Sequence, residues 1–178
     1  ATLYGDHGLA SPGTILRHGH PPGTPLHDFQ RRIGRVSPEL QAALPRALTA
    51  QQCVVTGLRG AFGLDGAVRS LERRAADAAL RSAGALRQAR RVLFARALAA
   101  HPDIVLLDEP YTGLDAPTRT RMRALVDRLC AMGQTIVIAT HHPDDWPRRV
   151  THELELGAGR VVYCGTVRRR GAARERDR

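Results

Sequence analysis

The sequence has no lysine, and all 27 of its basic residues are arginines. With 17 acidic residues, the formal net charge at pH 7 is +10. A basic chain of this kind favours an anionic partner such as a nucleotide or a nucleic acid. The arginines are spread along the chain, however. A genome that encodes arginine in preference to lysine is therefore the simpler explanation for most of them.

Cysteines are few and lie far apart, at Cys53, Cys130 and Cys164. Their odd number and the absence of a C-x-x-C pair argue against a disulfide scaffold or a zinc finger and favour a reduced, cytoplasmic protein. No apolar run approaches the roughly 18 residues that a membrane span needs. The first residues do not resemble a signal peptide, and the missing initial Met predicts an incomplete or processed chain.

Aromatic residues make up only 4% of the sequence, although 43% of it is hydrophobic. A core built from Ala, Leu and Val is therefore expected. The short apolar runs "DIVLL" and "QTIVIAT" are typical of strands buried on both faces, and a helical pattern separates them. Strands that alternate with helices predict an α/β fold with a mainly parallel sheet flanked by helices.

A long helical stretch lies between the strand predicted at 31–37 and the run "DIVLL". It is too long for one crossover connection, so we expect a helical subdomain at about 39–95, inserted in the sheet. Further along, "HELEL" and "RVVYCG" predict a hairpin. We expect one domain over 1–165 and a basic, disordered tail over 166–178.

Two adjacent carboxylates, Asp108 and Glu109, follow the apolar run "IVLL". Ligands of open parallel sheets bind beyond the carboxyl ends of the strands. Because side chains alternate along a strand, one carboxylate can hold a magnesium ion while the other faces the reacting atoms. Hydrolysis of a nucleoside triphosphate needs this division of labour. The alternative is that the two acids cap the helix that follows.

The surrounding residues resemble three motifs of the ATP-binding cassette ATPases. "IVLLDEPYTGLD" resembles the Walker B segment and D-loop, "TIVIATHHPDD" resembles the switch-histidine segment, and "RRVLFARALAAHP" resembles the helix that leads from the signature loop to Walker B. The resemblance extends from the N-terminus to about residue 165 and is strongest after residue 85. It implies a P-loop NTPase-like fold, ATP hydrolysis, and ATP and Mg²⁺ as cofactors.

The resemblance also implies a role for each matching residue. Asp108 would hold Mg²⁺ through water, Glu109 would be the catalytic carboxylate, and His141 would contact the γ-phosphate. Asp115 would be the D-loop acid that communicates across a dimer. His142 stands where the family often has an Asp. A metal site at the two histidines is an alternative, but adjacent histidines do not easily share one tetrahedral ion without further ligands.

Three family motifs are absent or altered. The Walker A loop G-x-x-x-x-G-K-[ST] cannot be present without a lysine. "ATLYGDHG" resembles the end of the helix after that loop, so the chain is expected to begin just beyond it. The signature loop aligns with Gly84–Gln88, where only Gln88 matches and would keep its nucleotide contact. Val36–Pro38 replaces the Q-loop "V-P-Q", which leaves Gln41 as the nearest glutamine.

These departures predict that the chain alone binds ATP poorly and is inactive. Each charge-assisted contact to phosphate contributes roughly 1.5–3 kcal/mol. Loss of three such contacts removes at least about 5 kcal/mol, which is several thousand-fold in affinity.

Three hypotheses for the function stay open. The first is a transport ATPase that pairs with a second cassette, in the same chain or another, and with a membrane transporter subunit at the inner face of the membrane. The second is a nucleic-acid- or ribosome-associated cassette, which the net charge favours and the lack of aromatic residues among the arginines does not. The third is a non-catalytic, degenerate cassette. A narrower resemblance, carried by "HHPDDWPRRVTHELEL", is to the second cassette of molybdate-transport-type proteins.

Overall fold

The computed structural model describes residues 30, 32–84 and 89–168. In this part of the chain, a parallel sheet with the order β1-β2-β3 is formed by three strands: β1 (Ile33–Val36), β2 (Ile104–Asp108) and β3 (Thr135–Ala139). The central strand places Leu106 between Arg35 and Val137. The predicted α/β fold with a parallel sheet and flanking helices is confirmed.

Four helices fill the chain between β1 and β2, and a fifth joins β2 to β3. They are α1 (Pro38–Ala43), α2 (Ala50–Arg59), α3 (Ser70–Ser82), α4 (Ala89–Leu98) and α5 (Ala116–Ala131). Pro45 lies in the break between α1 and α2, and Gly84 and Gly133 follow the ends of α3 and α5 in the left-handed conformation. Glycine in this conformation is a common way for a helix to end.

Local hydrogen bonds explain where α1 and α2 begin. The Ser37 hydroxyl accepts the N–H of Leu40 at 3.1 Å, directly before Pro38 in the first turn. Thr49 and Gln52 form a capping box, in which each side chain accepts the backbone N–H of the other. Such caps satisfy the backbone donors that a helix start leaves unpaired.

Helix α4 packs directly against β1 on one side and α2 on the other. A Cβ atom at Gly34 would lie 2.5 Å from the carbonyl oxygen of Ala97, and one at Gly57 would overlap the carbonyl oxygen of Arg96. Only glycine allows the two backbones to approach so closely. Arg96 is nevertheless buried, because its Nε donates to the Thr56 hydroxyl at 3.0 Å and its Nη2 donates to the carbonyl of Ala61 at 2.8 Å.

The strand β3 is less buried than the sequence predicts. Its residues alternate between half-buried and exposed, and Val137 is 44% exposed. Ile136 and Ile138 pack against the core on the other face. The prediction of a strand buried on both faces is therefore wrong for β3. An apolar run shows that both faces tolerate burial, but it does not show that packing covers both of them.

The predicted hairpin is formed by β4 (His152–Gly157) and β5 (Arg160–Thr166), which pair antiparallel. Arg168 binds the carboxylates of Glu153 and Glu155 and stacks on the ring of Tyr163. The boundary predicted at residue 165 thus falls inside the last strand. Residues 169–178 of the predicted tail lie outside the described residues.

None of the helices in the described part of the chain is long and apolar enough to cross a membrane.

Replacement of Gly57 by Ala tests the close approach of α2 and α4. We expect Gly57→Ala to lower the free energy of unfolding by about 1–3 kcal/mol, because the added methyl group overlaps the backbone of α4. Gly63→Ala is the matched control, since nothing lies within 4 Å of a Cβ at Gly63. Urea unfolding of both variants measures the difference, and equal losses of stability would contradict this account of the packing.

Candidate catalytic site at the ends of β2 and β3

The carboxyl ends of β2 and β3 bring the predicted catalytic residues together. Asp108 is the last residue of β2 and pairs in register with Ala139 at the end of β3. The N–H of Glu109 donates to the carbonyl of Ala139 at 2.9 Å, which continues the pairing by one residue. Glu109 has φ of 43°, a left-handed conformation that a non-glycine residue adopts only under constraint.

Glu109 and His141 are in direct contact. The His141 Nδ1 lies 2.7 Å from Glu109 Oε1, and the His141 N–H donates to the same oxygen at 3.2 Å. The Thr112 hydroxyl donates to Glu109 Oε2 at 3.0 Å. Because an ionised carboxylate only accepts hydrogen bonds, His141 must carry its proton on Nδ1, which leaves Nε2 for a ligand.

Two opposing effects set the pKa of Glu109. Burial raises the pKa, whereas hydrogen bonds from the His141 ring, the Thr112 hydroxyl and the His141 N–H lower it. The hydrogen bonds prevail, and the pKa of Glu109 lies below its ordinary value. Glu109 is therefore a fixed, ionised acceptor at neutral pH.

Asp108 has a different environment from Glu109. Its side chain is exposed, and it has no hydrogen-bond or ion-pair partner among the described residues. A free carboxylate at a strand end suits Mg²⁺, which usually takes one or two protein carboxylates and completes its shell with water and phosphate oxygens. The described residues contain no cluster of three His, Cys, Asp or Glu side chains with the spacing of a metal site, so they offer no all-protein cage.

The carboxylate that caps α5 is Asp115. Its Oδ1 accepts the N–H of Thr118 at 2.8 Å. Hydrogen bonds from the Thr118 side chain and from this N–H lower the pKa of Asp115. The alternative that Asp108 and Glu109 serve as the caps is therefore wrong. The cap does not test the predicted role of Asp115 across a dimer, which stays a prediction.

Gln41 and Asp115 line one open cleft of about 430 Å³, together with Thr112 and Arg90. Gln41 is exposed on α1, and its predicted contact to nucleotide stays a prediction. Gln88 lies outside the described residues. The structure thus groups Asp108, Glu109 and His141 at the strand ends and places Gln41 with Asp115 in the cleft beside them.

Sequence reasoning missed Thr112 and Arg90. Thr112 contacts Glu109, and the signal that reveals it is a hydroxyl three residues after the carboxylate, across the turn at Pro110. Arg90 lines the cleft, where burial lowers its pKa and its Nη1 has no hydrogen-bond partner within the described residues. No pattern in α4 distinguishes Arg90 from its neighbour Arg91.

The pKa of Glu109 is measured by following its side-chain carboxyl carbon in NMR spectra as the pH changes. We expect His141→Ala and Thr112→Ala each to raise the pKa of Glu109, because each variant removes a hydrogen bond to the ionised form. His142→Ala is the matched control, since the His142 ring contacts His141 but not the carboxylate. A Glu109 pKa that stays at its wild-type value in both test variants would contradict the assignment.

Sequence comparisons find transporter ATP-binding proteins among the relatives of this chain. The chain is 31% identical over 171 residues to the ABC transporter ATP-binding protein ModF of Escherichia coli, an alignment that covers 86% of this chain and 35% of that protein. It is 39% identical over 79 residues to the energy-coupling factor transporter ATP-binding protein EcfA2 of Lactococcus lactis, covering 44% of this chain and 27% of that protein. The chain thus spans about a third of the length of these relatives.

A similar solved structure is the dimeric, post-hydrolysis state of the ATP-binding cassette MJ0796 bound to ADP and Pi. It superposes with a TM-score of 0.65 at 30% sequence identity, over 80% of this chain and 66% of the other. No family model matches the sequence.

The structural and sequence similarities agree with the site geometry. A carboxylate pair and a histidine meet at the ends of adjacent parallel strands, and the similar proteins are described as transporter ATP-binding proteins or cassettes. The chain belongs to the ATP-binding cassette ATPases.

Proposed function

We propose that Glu109 and His141 form the hydrolytic pair of an ATPase whose substrate is ATP. The observation that carries the proposal is the 2.7 Å contact of His141 Nδ1 with Glu109 Oε1 at the ends of adjacent parallel strands. The structure similar to this chain holds ADP and Pi, the products of ATP hydrolysis.

Each residue has a distinct task in this proposal. Glu109 accepts a hydrogen bond from the attacking water and orients it toward the γ-phosphate. With its low pKa the carboxylate is a weak base, so orientation contributes more than proton removal. Because a phosphate oxygen only accepts hydrogen bonds, His141 contacts the γ-phosphate through Nε2–H in its imidazolium form, in which Nδ1–H still bonds Glu109 and fixes the ring. Thr112 holds the second carboxylate oxygen and so limits rotation of the side chain.

Magnesium fits beside this pair. Asp108 would hold Mg²⁺ through water, because its carboxylate is exposed and has no partner among the described residues. When bound, the ion neutralises negative charge on the phosphate oxygens.

We further propose that the protein works with a second cassette and a membrane transporter subunit, in the cytoplasm at the inner face of the membrane. The dimeric state of the similar cassette and the transporter descriptions of the relatives support these partners. The exposed cleft lined by Gln41 and Asp115 is the surface at which a second cassette would approach.

The role of Glu109 is tested by Mg²⁺-dependent ATP hydrolysis in the protein assembled with a second cassette. We expect Glu109→Gln to lower kcat by about 10²-fold or more while ATP binding persists, because Gln keeps the shape but loses the charge that orients water. The control is Asp65→Asn, an exposed carboxylate in the loop between α2 and α3. Wild-type kcat in the Glu109 variant would refute the proposed role.

A second prediction concerns the 178-residue chain by itself. We expect it to bind ATP more weakly than low-micromolar, with little turnover, because the sequence has no lysine to meet the phosphates. Calorimetric titration with ATP and Mg²⁺ measures the affinity. Low-micromolar, magnesium-dependent binding would show that other residues of this chain replace the Walker A loop.

A further inference from the structure

Three buried polar atoms, in α5 and in the segments that follow Glu109 and His141, lack hydrogen-bond partners within the described residues. They are the Tyr111 hydroxyl, Asp145 Oδ1 and Arg119 Nε. Tyr111 is fully buried and Asp145 is 2% exposed, whereas the side chain of Arg119 is 41% exposed. Arg119 Nη1 lies 3.9 Å from Asp145 Oδ1, close enough for charge attraction but beyond hydrogen-bond distance. We refer to these three side chains as the Asp145 cluster.

Two residues of the Asp145 cluster lie in the segments that carry the catalytic pair, and the third, Arg119, lies on α5. Tyr111 follows Glu109 by two residues in the loop after β2. Asp145 follows His141 by four residues, at the end of the short 3₁₀-helix Pro143–Asp145, and its N–H donates to the carbonyl of His142 at 3.0 Å. Each member of the pair therefore has, a few residues downstream, a buried side chain with an unpartnered polar atom.

The charge of Asp145 is one of those that act on the Tyr111 hydroxyl. Burial raises the pKa of Tyr111, Arg123 opposes the shift, and Asp145 and Asp127 add to it. The hydroxyl of Tyr111 thus lies within the influence of charges from α5 and from the segment after β3. A tyrosine O–H and an arginine N–H are donors and a carboxylate is an acceptor, so the three groups are chemically complementary.

A second contact holds the same segment on α5. The N–H of Arg148 donates to Asp127 Oδ1 at 2.8 Å, and Asp127 lies eight residues, or just over two turns, beyond Arg119. Residues 145–148 therefore contact α5 at two points along one side of the helix. With the far end held by Asp127, the contact at Asp145 is the one nearest to His141.

We propose that Asp145 is a positioning residue of this ATPase, which through Arg119 and Tyr111 sets where His141 stands relative to Glu109. The consequence for catalysis rests on the proposed function, whereas the effect on the His141–Glu109 contact does not. If the cluster served only to stabilise the fold, its loss would lower stability and leave that contact unchanged in the folded protein.

The test is the tautomer of His141, read from imidazole nitrogen shifts in ¹⁵N-histidine NMR spectra, with His141→Gln to assign the signal. In the wild type we expect neutral His141 in the Nδ1–H form that the Glu109 contact requires. In Asp145→Ala we expect the ratio of Nδ1–H to Nε2–H to fall by about twofold or more, toward the Nε2–H form that free imidazole prefers.

The neighbouring acid supplies the matched control. Asp144 is exposed in the same 3₁₀-helix, so Asp144→Ala removes an equal charge and should leave the tautomer unchanged. Asp145→Asn keeps the shape of the side chain but loses the charge that attracts Arg119 at 3.9 Å, so it should shift the tautomer in the same direction as Asp145→Ala. Tyr111→Phe, which keeps the ring in the core, should shift the tautomer in the same direction as Asp145→Ala. A wild-type tautomer in folded Asp145→Ala, or in Tyr111→Phe if the former does not fold, would overturn the proposal.

Kinetic measurement of ATP hydrolysis in the protein assembled with a second cassette separates this inference from the proposed function. We expect Asp145→Ala to lower kcat about tenfold and to change KM for ATP less, because Asp145 acts through His141 and itself contacts no phosphate in the proposal. A rise in KM with constant kcat would overturn the positioning role. Absence of ATP hydrolysis in the wild type would overturn the proposed function alone, and the tautomer measurement would still decide the effect of Asp145 on His141.

Discussion

The candidate site depends on the parallel pairing of β2 with β3. Asp108 pairs with Ala139, and Glu109 also bonds to Ala139. The two strands therefore leave the sheet at the same level. His141, two residues after Ala139, then meets Glu109 across the strand ends. A slip of one residue in this register would turn each side chain to the other face of the sheet and separate the pair.

The hydrogen bonds at this edge determine the chemistry of Glu109. A half-buried carboxyl group alone would tend toward a higher pKa, which suits a general base. Three donors hold it ionised instead, so that the fold fixes an acceptor of defined orientation. Thr112 and His141 restrain opposite oxygens of the carboxylate, and both donors come from loops that strand pairing brings together.

Much of the scaffold follows from signals that are local in the sequence. Pro45 and Thr49 separate α1 from α2, and Gly84 and Gly133 end later helices. These signals are reliable because caps and left-handed residues act within one turn of the backbone. The burial of β3 could not be read in the same way. Val137 is as apolar as Val105, yet the first is 44% exposed and the second is fully buried, since only packing decides which faces of a sheet are covered.

By itself, the sequence determined the alternation of strands and helices, the carboxylate pair at 108–109 and the histidine at 141, because apolar period and motif order are properties of neighbouring residues. The sequence also shows that the chain has no lysine. Only the tertiary structure decided that His141 meets Glu109 across the strand ends and that Arg119 on α5 lies 3.9 Å from the buried Asp145. These contacts join residues 32 and 26 positions apart in the chain, and strand register and helix packing, which no local pattern encodes, set their distances.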